Sequence, residues 1–187
     1  MEVNLTHWII LITVITVTSI GCILIIRKNV LRYGIVFLIS AALAIFLCFF
    51  FYINGYYRFV FPIRFILPTV ALSFGFLSLF IIRFQPEKWT FPFFFITVNL
   101  VFTFEIILRL AFHFIVFRNA WDTWDSYSLY WVYLRLMHHI GRVFVSRKYR
   151  NPISYDTKKY WILFMLVIFY TIAGVAFLLI RHQRLTS

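Results

Sequence analysis

FPFFFITVNLVFTFEIILRLAFHFIVF, residues 91–117, is long enough to cross a bilayer as one helix, yet it carries Glu105, Arg109 and His113. Four-residue steps rotate by about 40° on an α-helix, so these three would form one polar stripe on an aromatic and aliphatic cylinder. A charge at the centre of a spanning helix costs about 2.5–3.5 kcal/mol, whereas each Phe, Ile or Leu returns only a few tenths. The stripe therefore needs partners from the rest of the chain. At about 1.5 Å per residue, Glu105 would lie roughly 21 Å along from Phe91, with Arg109 at roughly 27 Å and His113 at roughly 33 Å. In a hydrocarbon core of about 30 Å, Arg109 can snorkel and His113 reaches the interface, so Glu105 is the group with no escape.

The composition points the same way. Of 187 residues, 63% are hydrophobic and only 13% charged, against about 25% charged in soluble domains. The sequence predicts a single transmembrane domain over residues 1–187, an all-α polytopic bundle in the cell membrane. The net charge of +12 does not point to nucleic acid, because the cations flank apolar runs instead of lining one polar face. They fit the positive-inside pattern, with anionic lipid as a contact.

Six runs are predicted as helices, at about 7–26, 33–53, 65–82, 91–117, 127–146 and 160–180. MEVNLTHW lacks the basic start of a cleavable signal, so the first run is expected to remain. Ser40, Ala44 and Cys48 recur every four residues, and small residues at that spacing let helices approach closely. Gly174 reads likewise as a packing position. Pro68 is expected in the first turn of its helix, where proline is tolerated. NAWDTWDS, with Asp122 and Asp125, reads as an interfacial turn that caps the next helix.

That next helix carries Arg135, His138, His139 and Arg142 on an arc of about 100°. It either spans with a polar inner face or lies in the interface, which would leave five crossings. If it spans, Arg27, Lys28, Arg32, Arg83, Lys88, Arg147, Lys148, Arg150, Lys158 and Lys159 fall on one side, against Arg58, Arg64, Arg118, Arg181 and Arg184 on the other. The charge bias favours six crossings with both termini outside. A hairpin turning through residues 118–126 would then set Glu105 opposite His139, so the expected ion-pair set is Glu105 with Arg109 plus His139 or Arg142, its surplus positive charge met by an anionic lipid or an acidic partner.

Residues Phe61 to Tyr133 carry a further pattern: Pro68, then Gln85, Pro86 and Trp89, then Glu105 deep in a helix, then Trp124 before Tyr127 and Ser128. In these positions the chain resembles an uncharacterised family of small multi-helix membrane proteins of spore-forming Gram-positive bacteria. The family usually sets its tryptophan one residue further from the Tyr-Ser pair and lacks a run as clear as 160–180. The resemblance implies a membrane fold, a spanning helix after Tyr127 and a bacterial, sporulation-associated setting. It implies no activity.

No phosphate loop, nucleophile elbow or HExxH sequence is present, so no catalytic residue, metal ligand or cofactor is assigned. Adjacent His138 and His139 point about 100° apart on a helix, and the nearby arginines repel a divalent cation, which disfavours an intramembrane metal enzyme. Two classes remain. One is a scaffold or accessory subunit with a membrane-protein partner or a second copy of itself; the other is a small transporter or channel subunit using the Glu/Arg/His cluster.

Overall fold

The computed structural model describes residues 3–119 and 121–186, with side chains described as far as residue 174. Among the described residues it holds six α-helices: α1 (Leu5–Ile26), α2 (Val30–Ile53), α3 (Ile63–Phe84), α4 (Thr90–Leu110), α5 (Thr123–Phe144) and α6 (Lys158–Thr186). α1 to α4 are each long and apolar enough to cross a membrane. α5 carries Asp125, Arg135 and Arg142 and is not one of those four. Arg181 and Arg184 of the charge count lie outside the residues whose side chains are described.

The starts of α1, α2 and α5 are written in short polar side chains. The Asn4 side chain accepts from His7 N at 3.0 Å while His7 Nδ1 accepts from Asn4 N at 3.1 Å, satisfying two of the donors that every helix start leaves open. Asn29 opens α2 by accepting from Arg32 N. Asp122 opens α5 by accepting from Trp124 N and Asp125 N, and Asp125 answers by accepting from Asp122 N. α3 starts two residues earlier than its apolar run, which moves Pro68 out of the first turn to an interior position. There its missing N–H removes the bond to the Arg64 carbonyl.

The one large departure from the sequence reading is the end of α4. The run to Phe117 is not one helix. Ala111 N and Phe112 N both donate to Ile107 O, Phe114 N donates to Leu108 O at 2.8 Å, and His113 turns the chain at φ +50°. Residues Ile115–Phe117 then form β2, which pairs antiparallel with β1, Tyr57–Phe59, in the register Tyr57 to Phe117, Arg58 to Val116 and Phe59 to Ile115. Val60 N to Phe114 O and Arg118 N to Tyr56 O continue the ladder at either side. A strand of branched and aromatic residues gains cross-strand partners here that a helix extension would lack.

This ribbon ties the α2–α3 and α4–α5 connections together at one end of the bundle, with the start of α1 bound to the same end through His7 Nε2 and Phe112 O at 2.9 Å. We call it the closed end. At the opposite end Arg32 Nη1 donates to Phe144 O, Tyr33 Oη donates to Tyr149 O, and Asn151 N donates to Arg83 O. α5 therefore runs from one end to the other, and it packs against α2, α3 and α4.

α3 is the middle of the bundle, in contact with α1, α2 and α5. Leu79, Phe94, Val98, Leu134 and Met137 are fully buried where α3, α4 and α5 meet. A second apolar cluster of Leu11, Cys48, Val60, Phe61, Ile66 and Phe114 underlies the ribbon. Outward faces are apolar, as with Leu38, Phe46, Val132 and Val143, the pattern that lipid in place of water permits.

Candidate functional site

Three polar groupings sit on α5 and its neighbours, and α5 contributes to each. Nearest the closed end, Tyr130 Oη donates to Glu105 Oε2 at 2.5 Å, and Glu105 is only 7% exposed. Two small cavities meet at this pair. One of about 110 Å³ lies between Ala44, Cys48, Tyr57 and Tyr133; the other, about 160 Å³, lies between Leu11, Ile66, Phe104 and Phe114. Tyr57, in the ribbon above, has its phenol pushed up by burial, and the neighbouring Glu105 carboxyl adds to that rise.

The expected ion-pair set around Glu105 is not what forms. Arg109 lies over the Phe117 ring with its guanidinium carbon 4.7 Å from the centroid, and among the described residues the one salt bridge joins Arg147 to Glu87. His113 is off the helix and exposed. His139 and Arg142 do not reach Glu105, because α4 ends at Leu110 and the hairpin register shifts with it. Glu105 therefore lies near the beginning of α5, and Phe94 near its end: the Phe94 and His138 rings are 5.4 Å apart, and Arg135 stacks on Phe94 at 5.1 Å.

Midway along, Tyr133 Oη bonds Ser40 Oγ at 2.6 Å and donates to Ser40 O at 2.9 Å, and Ser40 Oγ also meets Ser78 Oγ at 2.8 Å. Ser40, Ala44 and Cys48 are all buried along this face of α2. On α4's other side Asn99 Oδ1 accepts from Thr171 Oγ1 of α6 at 2.8 Å. Gly174, further along α6, is exposed, and a Cβ there would meet nothing within 4 Å.

The third grouping is at the open end. His138 is 5% exposed and its Nδ1 has no hydrogen-bond partner. It lies in the wall of a cleft of about 420 Å³ together with Arg142, Arg147, Arg150 and Glu87. Arg150 Nε donates to Val145 O at 2.9 Å and Arg32 to Phe144 O, so two cations neutralise the carbonyl end of α5. Burial, with Arg142 close by, holds the Arg150 guanidinium below its usual range. Of the polar arc read from the sequence, only His138 turns inward; Arg135, His139 and Arg142 are exposed.

No family model, curated protein or solved structure matches this chain. Among the described residues no cluster of three or more His, Cys, Asp or Glu side chains is placed to hold a metal, and both cysteines are free and buried. Tyr130, Tyr133 and Ser78, which do the bonding inside the bundle, were not singled out by sequence reasoning. The available signal was the spacing of Ser126, Tyr130 and Tyr133, three hydroxyls on one face of a helix.

Proposed function

We propose that the chain is a six-crossing, multi-pass protein of the cell membrane that works as a scaffold or accessory subunit, with a membrane-protein partner or a second copy of itself, and without catalysing a reaction. Its kinship with the small membrane proteins of spore-forming bacteria is part of this proposal. The observation that carries it is the self-bonding of polar side chains between the helices: Glu105 with Tyr130, Ser40 with Ser78 and Tyr133, and Asn99 with Thr171 bond one another. Beyond the hydroxyl cluster, Leu79, Leu134 and Met137 are fully buried, an apolar layer between it and the open-end cleft. Polar groups that bond one another between helices specify one packing arrangement. Six crossings are supported by α5 running antiparallel to α4 from end to end.

Two experiments test this reading. With Cys22 and Cys48 replaced, single cysteines at Asn119 and Asn151 are expected to label from outside and inside respectively; equal external labelling at both removes the α5 crossing. A photocrosslinker at Phe169, an outward-facing residue of α6, is expected to give one discrete protein adduct in membranes. Adducts with lipid alone count against a partner on that face.

The two cavities that meet at Glu105 favour a second reading, a small transporter whose carboxyl takes up a proton or cation. Proteoliposomes distinguish it: a pH-sensitive dye should report equal proton flux for the native chain and Glu105→Gln if the protein is a scaffold, and a flux abolished by that substitution if it is a transporter.

A further inference from the structure

The open-end cleft has a donor set that the chain itself does not consume. Arg32 and Arg150 are committed to the carbonyl end of α5, and Arg147 makes a two-pronged bond to Glu87. Arg142 is exposed and its guanidinium donates to no described residue. His138 is the decisive member. A buried imidazole nitrogen without a partner costs roughly 1–3 kcal/mol, yet His138 Nδ1 has none, and the His138 side chain lines the cleft beside Ser146 and Thr90. Three guanidinium groups and one carboxylate leave the lining with surplus positive charge. Donors converging from several sides, one at the buried wall and others at the rim, suit a tetrahedral oxyanion with several acceptors better than a planar carboxylate.

We propose that this cleft is a binding site for a phosphate group, carried either by a lipid head group or by a soluble phosphate compound. The phosphate sits between the His138 imidazole and the Arg142 and Arg147 guanidinium groups, and Glu87 competes with it for Arg147. At about 420 Å³ the cleft is roomier than a bare ion needs, so the phosphate is a substituent on something larger. The surroundings favour lipid as that carrier. Residues 151–153 cross from Asn151 N on Arg83 O to Ile153 N on Phe84 O, and they form a thin wall: Pro152 lines the cleft, while Ile153 lines an apolar groove of about 510 Å³ between α3, α4 and α6. A head group on one side of that wall has an apolar groove for its acyl chain on the other. This site stands independently of the scaffold reading, since it uses only the end of the bundle.

The test is the thermal unfolding midpoint of the purified full-length chain in neutral detergent. It is titrated separately with a short-chain phosphatidic acid, with the matching diacylglycerol that lacks phosphate, and with inorganic phosphate. A ligand that binds only the folded chain raises the midpoint with concentration. Phosphatidic acid is expected to raise it and diacylglycerol to leave it unchanged. A response to inorganic phosphate at equal concentration assigns the site to a soluble compound, and a response to the lipid alone assigns it to a head group. Arg142→Gln should weaken binding about tenfold or more, the worth of a charge-assisted hydrogen bond, and Glu87→Gln should strengthen it by freeing Arg147. Arg64→Gln, at the closed end, should change nothing. Should Arg142→Gln fail to fold, the strengthening by Glu87→Gln decides alone. No response to either phosphate probe, equal loss with Arg64→Gln, or weaker binding with Glu87→Gln overturns the proposal.

Discussion

The two ends of this bundle are built on opposite principles. At the closed end the backbone is knitted: β1 pairs with β2, His7 reaches Phe112, and Phe61 packs edge to face with Trp8 and at a tilt against Phe114. At the other end arginines cap carbonyls around a cleft, and Arg32 lies over the Tyr149 ring. Apolar residues and closed hydrogen-bond ladders make the first end a lid that needs nothing further. Cations held around an unpartnered imidazole make the second an end that awaits a ligand.

Four measurements test that contrast. Phe114 is 6% exposed in the apolar cluster under the ribbon, and Phe114→Ala should destabilise the fold by about 3–5 kcal/mol; an effect near zero in detergent unfolding would mean the lid is not structural. Tyr130→Phe removes the donor that Glu105 receives and should cost about 1–3 kcal/mol, read in the same assay. Arg142→Gln, at the exposed rim of the open end, should stay within about 0.5 kcal/mol of the native chain when no ligand is present. Smallest of all is the coupling between Glu105→Gln and Arg142→Gln. Arg142 lies twelve residues beyond Tyr130, about 18 Å along α5, so the two effects should add to within about 0.5 kcal/mol. A larger coupling would restore the ion-pair set that the sequence led one to expect.

Much of the helical layout was legible because apolar runs, small-residue spacing and the aspartate cap of NAWDTWDS are local signals. The end of α4 was not. AFHFIVF continues an apolar run without proline or glycine, and the reason it leaves the helix is its pairing with YRF, a contact distant in the chain. From that one miss the others follow: His113 leaves the stripe, the hairpin register moves, and Glu105 finds Tyr130 in place of His139. The polar arc on α5 misled for a different reason. Long arginine side chains can lie along an apolar surface, as Arg135 does over Phe94, so their spacing alone did not say which face turned inward. Tyr130 and Tyr133 carry no charge and so did not stand out within an aromatic run, yet their hydroxyls supply the interior bonds.

The ribbon also sets an order of events during synthesis. Tyr57–Phe59 leaves the ribosome with α2 and α3, whereas its partner Ile115–Phe117 follows only after α4. Until then the backbone groups of β1 must be satisfied by interfacial water, because a strand edge cannot rest in hydrocarbon. The lid therefore closes late, after two helical hairpins have been threaded, and a ribosome that stalls before α4 leaves behind a stub with a free edge at the membrane surface. Such an edge is a ready template for quality-control factors or for aggregation, so the same three residue pairs that seal the finished protein also mark an unfinished one.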